Sequence, residues 1–596
     1  MRSAFFGFHV ASSALFTARG NLNVISHNIA NAGIPGFSRQ VAQAQANIPL
    51  SLNDGRGMYG TGSRVTGIIQ IRDHFLDRQF WSQRAVLGAN IARNNHLSFT
   101  ETVFNDLNNA GVHRSFTDFF ARMHNLTENT SGATLRNGVI TQAETLAEMI
   151  NHNARALQRQ QADINREVSD TVGIINSLGA QITSLNVQIR IFEQDGSNAN
   201  DLRDQRALII DQLSELVNIT VEELDFSGPG NPNDRRLIVM MNGHDFIQND
   251  ILNRLTVVQR TPEQRRNEMD IDGLYDIRFG NGSPFNIYSR TLGGTLRGLI
   301  DVRDGNGGHA TMHVGGNPLH TSHFCGIPFY MNQLNLLVRT FATAMNEGRN
   351  IALERIDGTT GHIFGFDSNG NNTQTMLFDF VHPLTGEAAV LIERDAAGDP
   401  VPDADNNGIR RWLLINPDGN FVAMDSFMYN VPTLADLPAG YTLHHDDHGN
   451  PLFTLDLSHM NALNFRVNTK LTASGGDQFL ATRSSMDTGA SDNDIILGFN
   501  KIGIDPTLFR QGRLIDFIIA TSNQLAVDRN QAIRFHASYE EISMRTHNLR
   551  LAVKDVDINE EMMNLVRFQT MFTAAARLVN VMDNVYDTLI NRLGNI

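Results

Sequence analysis

The chain has 596 residues, too many for one hydrophobic core, so we expect roughly three or four domains. Hydrophobic residues make up 41% of the chain and charged residues 19%, a composition typical of soluble globular proteins. No apolar run approaches the roughly 20 residues that cross a bilayer, and the net charge of -15 disfavours nucleic acid and anionic membranes as partners. The single cysteine, Cys325, excludes an intrachain disulfide framework.

The N-terminal segment predicts a helix, because apolar residues recur in alternating steps of four and three, as in coiled coils. This heptad seam runs over Ala4, Phe8, Ala11, Leu15, Ala18, Leu22, Ile25 and Ile29. Asn31 to Gly33 predicts the helix end, and Pro35 with Gly36 predicts a type II turn. Because the pattern continues past any cleavage point, we expect no cleaved signal peptide.

The middle of the chain predicts a rod-like helical bundle with a small sheet. Long helices are expected from Phe75 to Val217, with a hairpin break at 195–200. The period then changes to that of strands at 218–226 and 237–241, joined by a turn at Asn242 and Gly243. Helices are predicted again at 327–345 and 514–553.

Residues 350–494 are rich in Gly, Asn, Asp and Pro and contain short strand-like runs such as Leu413 to Ile415. This composition predicts an inserted β-rich outer domain. Because helical segments precede and follow the insertion, the two ends of the chain are expected to meet in space.

The C-terminal segment repeats the heptad seam of the N-terminal helix. Asp557 predicts a helix start near Ile558. The two seams form the predicted assembly interface, which comprises Leu15, Leu22, Ile25, Ile29, Leu565, Phe568, Phe572, Val579, Met582, Leu589 and Leu593. Such stripes more often fill a protein's own core, but these lie at the extreme ends and are narrow, which favours contacts between molecules. We therefore expect them to lack a cover within the chain and to stay mobile before assembly.

Together these patterns predict a multidomain, mainly α fold with β insertions. Terminal helices form a coiled-coil core, a long helical bundle carries a small sheet, and a β-rich domain is inserted. The predicted divisions are 1–45 (N-terminal core segment), 46–349 (bundle domain), 350–494 (inserted outer domain), 495–554 (return segment of the bundle) and 555–596 (C-terminal core segment).

No catalytic motif of a zinc protease, serine hydrolase or phosphate-binding loop occurs, and neither an enzyme nor a cofactor is predicted. The residues closest to a metal site are His309, His313, His320 and His323 with Cys325, and the pair Asp403 and Asp405. Surrounding glycines favour a solvated loop for the histidines, and the acidic pair lacks the twelfth-position glutamate of a calcium loop. A metal-dependent surface protein therefore remains the alternative from another class.

Two strings carry a family resemblance. NLNVISHNIANAGIPGFSRQ, Asn21 to Gln40, and the segment from Asp557 to Leu593 closely resemble the N- and C-terminal signatures of the flagellar rod, hook and hook-associated axial family. Segments Tyr59–Phe80, Asn200–Val221 and Ile327–Asn346 look like its hook-associated members. Hook and rod proteins typically lack such a helical middle, so another axial protein, hook or distal rod, is the alternative within the family.

The resemblance implies a structural role outside the cell. It implies a self-assembled ring of subunits at the hook-filament junction, with hook protein below and a second junction protein above. It also implies type III export without cleavage, with a cytoplasmic chaperone bound to the C-terminal segment.

Overall fold

The protein is described from a computed structural model. The described residues are 6–51, 57–104, 111–227, 235–287, 289, 291–308, 322–371, 373, 375–380, 391–393, 402–403, 408–409, 411–412, 453–455, 457, 459–485 and 492–588. Elements are numbered below in chain order.

The chain begins with a helix followed by a long hairpin. Helix α1 spans Phe6–Asn31, and the turn after it has the predicted type II features, with Phe37 N–H donating to the Ile34 carbonyl at 3.2 Å and Gly36 at φ +87°. Strand β1 (Gln40–Ala46) pairs antiparallel with β4 (Ser63–Gln70). Strands β2 (Leu50–Ser51) and β3 (Met58–Tyr59) extend the hairpin. The predicted end of the first helix is confirmed.

Four helices follow, as the apolar spacing predicts. They are α2 (His74–Phe104), α3 (Val112–Leu126), α4 (Ala133–Phe192) and α5 (Asn200–Leu216). The 60-residue helix α4 buries Leu178, Ile182, Leu185 and Ile189 on one face. It stops before the Asp195–Asn200 break, and α5 then folds back along it, so the predicted helical hairpin is confirmed.

A small sheet lies beside the bundle. Its four antiparallel strands are β5 (Ile219–Asp225), β6 (Arg235–Met241), β7 (His244–Gln248) and β8 (Ile251–Leu252), and a separate pair consists of β9 (Leu255–Gln259) and β10 (Tyr275–Phe279). Asn242 and Gly243 join β6 to β7 with φ values of 52° and 81°. Positive φ at both residues is the type I′ geometry that their sequence predicts.

The core of the bundle is completed by helices α6 (Gly294–Asp304) and α7 (Ile327–Glu347) and by residues from both ends of the insertion. The ring of Phe341 on α7 lies 4.9 Å from that of Phe116 and 5.1 Å from that of Phe378, and Phe378 stacks on Phe465 at 4.9 Å. Phe378 and Phe465, which lie inside the predicted insertion of residues 350–494, therefore belong to the core of the bundle.

The insertion contains short strands. They are β11 (Phe378–Asp379), β12 (Leu391–Glu393), β13 (Pro402–Asp403), β14 (Gly408–Ile409), β15 (Arg411–Trp412), β16 (Phe453–Leu455) and β17 (Arg466–Val467). Strand β11 pairs with β17, and β12 pairs with both β15 and β16. The strand predicted at Leu413 to Ile415 lies outside the described residues. Short 3₁₀ helices occur at Pro262–Gln264, His362–Phe364 and Gly476–Phe479.

The chain returns through helices α8 (Thr469–Thr472), α9 (Asp494–Ile502), α10 (Leu514–Lys554) and α11 (Ile558–Asp587). Helix α10 runs antiparallel along α2. The rings of Phe80 and His547 are 5.7 Å apart at one end, and Glu101 pairs with Arg529 at the other. The mainly α fold with β insertions and the helix start at Ile558 are confirmed, and the division into five segments remains a prediction.

Candidate assembly surface at the terminal helices

Helices α1 and α11 pack against each other in antiparallel orientation. Near one end the rings of Phe8 and Tyr586 lie 6.3 Å apart, and near the other the Asn28 side chain donates to Glu561 Oε1 at 3.3 Å. At Gly7 an added Cβ would come within 3.0 Å of Met582. The two ends of the chain therefore meet, as the nested pattern predicts.

The predicted seam residues lie along this contact. Ile25 is buried, and those that are half-buried are Leu15, Leu22, Ile29, Leu565, Phe568, Phe572, Val579 and Met582. Leu589 and Leu593 lie outside the described residues. Within the described part of the chain, the seams are thus covered by each other, which differs from the expectation that they lack a partner in the chain. The antiparallel pair α2 and α10 brings the two ends together, and this proximity gives one seam a high local concentration of the other.

Small residues make the α1–α11 contact close. Ala11 and Ala18 on α1 and Ala575 on α11 are buried at seam positions. Because an alanine projects little beyond the backbone, the helices approach closely and leave the larger seam residues at the edges half-exposed.

The hairpin covers a second face of α1. The Thr17 hydroxyl donates to the Ser63 carbonyl at 3.1 Å, and an added Cβ at Gly20 would lie 3.1 Å from Val65. Gly62 has a φ of +99°, and a Cβ there would collide with the Ser13 hydroxyl. Helix α1 therefore packs against both the hairpin and α11. Helix α11 packs against α1.

A second apolar stripe on α11 faces solvent. Met571, Ala574, Leu578, Val581 and Val585 follow each other in steps of three and four, like the seam but displaced by one residue. All five are exposed, and so is Met563, which lies eleven residues before Ala574 and therefore on the same side of the helix. We call these six residues the outer face of α11. Monomeric proteins rarely expose so long an apolar patch, which marks it as an interaction surface.

Helix α10 exposes a shorter apolar stripe of the same kind. Phe535, Ile542, Leu549 and Val553 are exposed and lie seven, seven and four residues apart. Because this spacing keeps residues on one side of a helix, the apolar surface extends beyond the terminal helices into the bundle.

An ionic joint connects the terminal pair to the rest of the chain. Arg39, in the turn before β1, donates through Nε to Glu561 Oε1 at 2.7 Å and through Nη1 to Glu560 at 3.1 Å. Asn28, almost fully buried, also donates to the Gln40 carbonyl at 2.9 Å and accepts from the Gln40 N–H at 3.0 Å. Glu561 is itself 2% exposed, so the start of α11 is tied to the end of α1 inside the protein.

A second group of charges lies behind this joint. Asp77 on α2 accepts from Arg72 at 3.2 Å and from Arg550 on α10 at 2.8 Å. Burial raises the pKa of Asp77, but the neighbouring charges of Arg72 and Arg550 outweigh it, so the pKa lies below its usual value. Burial and the nearby Arg72 and Arg550 lower the pKa of Lys554.

Asp204 on α5 completes this second group. It accepts from the Ser38 N–H at 2.8 Å and from the Ser38 hydroxyl at 2.7 Å, and burial raises its pKa. The ionic joint and this second group of charges connect five separate stretches of the chain. Paired polar groups therefore set the orientation of the terminal helices relative to the bundle.

Sequence reasoning did not find this joint. Its signal is that Glu561 occupies a seam position, seven residues before Phe568, where an apolar residue is expected. Asn28 lies next to the seam residue Ile29, and no break in the spacing marks it. The outer face had a signal too, since its spacing repeats the seam one residue earlier.

Among the described residues, no group of three His, Cys, Asp or Glu side chains is placed to hold a metal. His309, His313, His320 and Asp405 lie outside the described residues, and Asp403 is described only as part of β13. Burial, with the nearby carboxylate of Asp528, raises the pKa of Cys325 to about 12. This thiol is therefore a poor nucleophile at neutral pH. None of the helices in the described ranges has the length and apolarity of a membrane span.

Comparisons with known proteins give a consistent result. Residues 97–364 match the family model for the flagellar hook-associated protein FlgK helical domain. Flagellar hook-associated protein 1 of Bacillus subtilis is 24% identical over 609 aligned residues, covering 100% of this chain and 99% of the relative. The Escherichia coli protein is 24% identical with 98% of each covered, and the Salmonella typhimurium protein is 28% identical over 49% of this chain and 51% of its own length.

A solved structure has the same fold. The flagellar hook junction protein FlgK from Burkholderia pseudomallei superposes with a TM-score of 0.51 at 13% identity, covering 80% of this chain and 100% of that chain. The chain is therefore similar to flagellar hook-associated protein 1 along its full length, and its middle matches the helical domain of that family.

Proposed function

We propose that this protein is a structural subunit of the bacterial flagellum that forms the junction between hook and filament by self-assembly. The observation that carries the proposal is the exposed outer face on a terminal helix pair whose seam is already satisfied within the chain. A helix with a second apolar stripe needs a second partner, and a ring of identical subunits supplies one.

In this arrangement the two stripes of α11 have different roles. The seam from Leu565 to Met582 holds α1 and α11 together as one unit, and the outer face packs against the neighbouring subunit. A closed ring requires two different complementary surfaces on each subunit, because the contact is head to tail. The exposed end of the hairpin, with Ile48 and Leu50 uncovered, is a candidate for the complementary surface.

The partners in this proposal are further copies of the chain, hook protein on one side and a second junction protein on the other. A cytoplasmic chaperone is expected to bind the C-terminal segment, since an exposed apolar stripe before assembly needs protection from aggregation. The site of action is the extracellular part of the flagellum, reached through type III export without cleavage of the N-terminus.

The role is non-enzymatic. Known relatives are flagellar hook-associated proteins, and the polar clusters of the described residues are engaged in ion pairs that join segments. The alternative of a hook or distal rod protein is disfavoured by the FlgK helical domain over residues 97–364. The alternative of a metal-dependent surface protein has no support from the described residues.

The test is deletion of the gene followed by electron microscopy. Cells without the protein should form normal hooks but no filaments, with filament subunits released into the medium, and the wild-type gene should restore filaments. Cells that lack hooks altogether would favour the hook or rod alternative. Cells that keep attached filaments would refute the junction role.

A further inference from the structure

The methionines of the described chain fall into two groups. One group is buried in the bundle and includes Met123, Met331 and Met345. The other is exposed, and two of its members, Met563 and Met571, belong to the outer face of α11. Met563 has 67% of its surface exposed. The apolar surface proposed for docking therefore also presents thioether sulfurs to solvent.

These sulfurs make the docking surface chemically vulnerable before assembly. Access is the main factor that selects which methionines are oxidised, and the sulfoxide replaces a flexible apolar side chain with a polar one. A sulfoxide oxygen buried in an apolar contact without a hydrogen-bond donor is strongly unfavourable. Oxidation at these positions leaves the core of the monomer intact, because neither side chain is buried there.

We propose that Met563 and Met571 form an oxidation-sensitive site: conversion to sulfoxide by a peroxide prevents the free subunit from docking, and docking protects the same residues. The inference rests on the proposed junction function. In the reaction the sulfur lone pair attacks one oxygen of hydrogen peroxide, an S–O bond forms and the O–O bond breaks. The sulfur loses two electrons, and the departing hydroxide takes the proton of the hydroxyl now bound to sulfur, which gives the sulfoxide and water.

The experiment uses the full-length protein with Cys325→Ser, so that thiol oxidation does not contribute. Purified protein is treated with hydrogen peroxide, the oxidised positions are identified by peptide mass spectrometry, and helix content is checked by circular dichroism. Treated and untreated samples are then incubated with isolated hooks from a strain lacking the gene, and bound protein is quantified. Treatment should lower the bound amount about tenfold or more while helix content stays the same.

Two matched variants locate the effect. The double variant Met563→Leu with Met571→Leu keeps the surface apolar but has no sulfur there, so it should dock equally well before and after treatment. The interior variant Met123→Leu with Met331→Leu should stay as sensitive as wild type, since leucine for methionine conserves volume. In assembled junctions the two outer-face methionines should resist peroxide.

The outcomes separate the two levels of the proposal. Normal docking of the sulfoxide form, equal sensitivity of the outer-face leucine variant, or loss of helix content on treatment would each overturn the inference alone. Failure of untreated wild-type protein to dock on hooks would overturn the junction function and this inference with it.

Discussion

Glu561 is a charged side chain at a seam position and is 2% exposed. Such a group is stable in the interior only because Arg39 and Asn28 both donate to it, at 2.7 and 3.3 Å. The neighbouring Glu560 also pairs with Arg39, but its side chain is 48% exposed. The two adjacent glutamates therefore form a matched pair for a test of the joint.

We expect Glu561→Ala to loosen the start of α11 by about 2 kcal/mol, because it removes the buried acceptor that Arg39 and Asn28 share and leaves Arg39 paired only with the exposed Glu560. Amide hydrogen exchange at the first turns of α11 should then accelerate about thirtyfold. Glu560→Ala should change the same exchange rates little, since exposed ion pairs contribute roughly 0–1 kcal/mol. Equal effects of the two variants would contradict the assignment of Glu561 as the anchor.

His362 is a second residue whose environment makes a measurable prediction. It is fully buried, its Nδ1–H donates to the Thr375 carbonyl at 2.6 Å, and its Nε2 accepts from the Ala481 N–H at 3.1 Å. Both ring nitrogens are thus used by the neutral form. Burial lowers the pKa of His362 from 6.5 to about 4, although the bond to Thr375 opposes this.

Because the pKa in the folded state lies below that of the unfolded chain, protons bind preferentially to the unfolded state between these values. The stability that His362 contributes is complete above a pH of about 6.5 and is lost as the pH falls toward about 4. Going from a pH of about 7.5 to about 5 should cost the wild type about 2 kcal/mol more than His362→Gln. Urea denaturation of both proteins at the two pH values measures this, and identical pH dependence would exclude His362 as the cause.

At the scale of elements, α11 carries two apolar stripes with different partners. The seam packs against α1, whereas the outer face has no cover among the described residues. A charge has opposite consequences on the two stripes, because it is buried within the monomer on one and only within the assembly on the other.

We expect Leu578→Asp with Val581→Asp to abolish junction assembly while the monomer's melting temperature stays within about two degrees of wild type. The matched seam variant, Phe572→Asp with Val579→Asp, should instead loosen the α1–α11 pair in the monomer. Thermal melting, limited proteolysis of α11 and filament counts distinguish the two, after secretion has been confirmed. Filaments on cells with the outer-face variant would refute that surface.

At the scale of the whole molecule, the inserted segment and the bundle share a core. Phe378 packs on Phe341, Phe465 stacks on Phe378, and the Asn346 side chain donates to the Phe378 carbonyl at 2.8 Å. The part of the insertion that can be removed is therefore shorter than the predicted domain of residues 350–494.

Deletion of residues 381–456 should leave folding, secretion and junction formation intact, because Phe378 and Phe465 remain. Deletion of 350–490 removes both and should abolish soluble expression, since truncating one buried phenylalanine already costs about 3–5 kcal/mol. The point variant Phe378→Ala should have a stability between those of the two deletion variants. A stable and functional protein lacking 350–490 would show that the core does not depend on these residues.

The sequence by itself determined the two terminal helices, the helical hairpin, the turns and the two heptad seams, because these depend on spacing and on residues a few positions apart. The starts and stops at Asn31 and Ile558 follow from local capping and turn chemistry. The terminal strings also carried the family resemblance.

Only the tertiary structure decided which surface meets which. Heptad spacing identifies a face of a helix but not its partner, so the seam could belong to the monomer or to the assembly until α1 was seen lying on α11. The joint between Arg39 and Glu561 connects positions 522 residues apart, a separation at which no local pattern links two charges. The same reason applies to Phe378, which enters the core of the bundle through contacts with Phe119 and Phe341, both far from it in sequence.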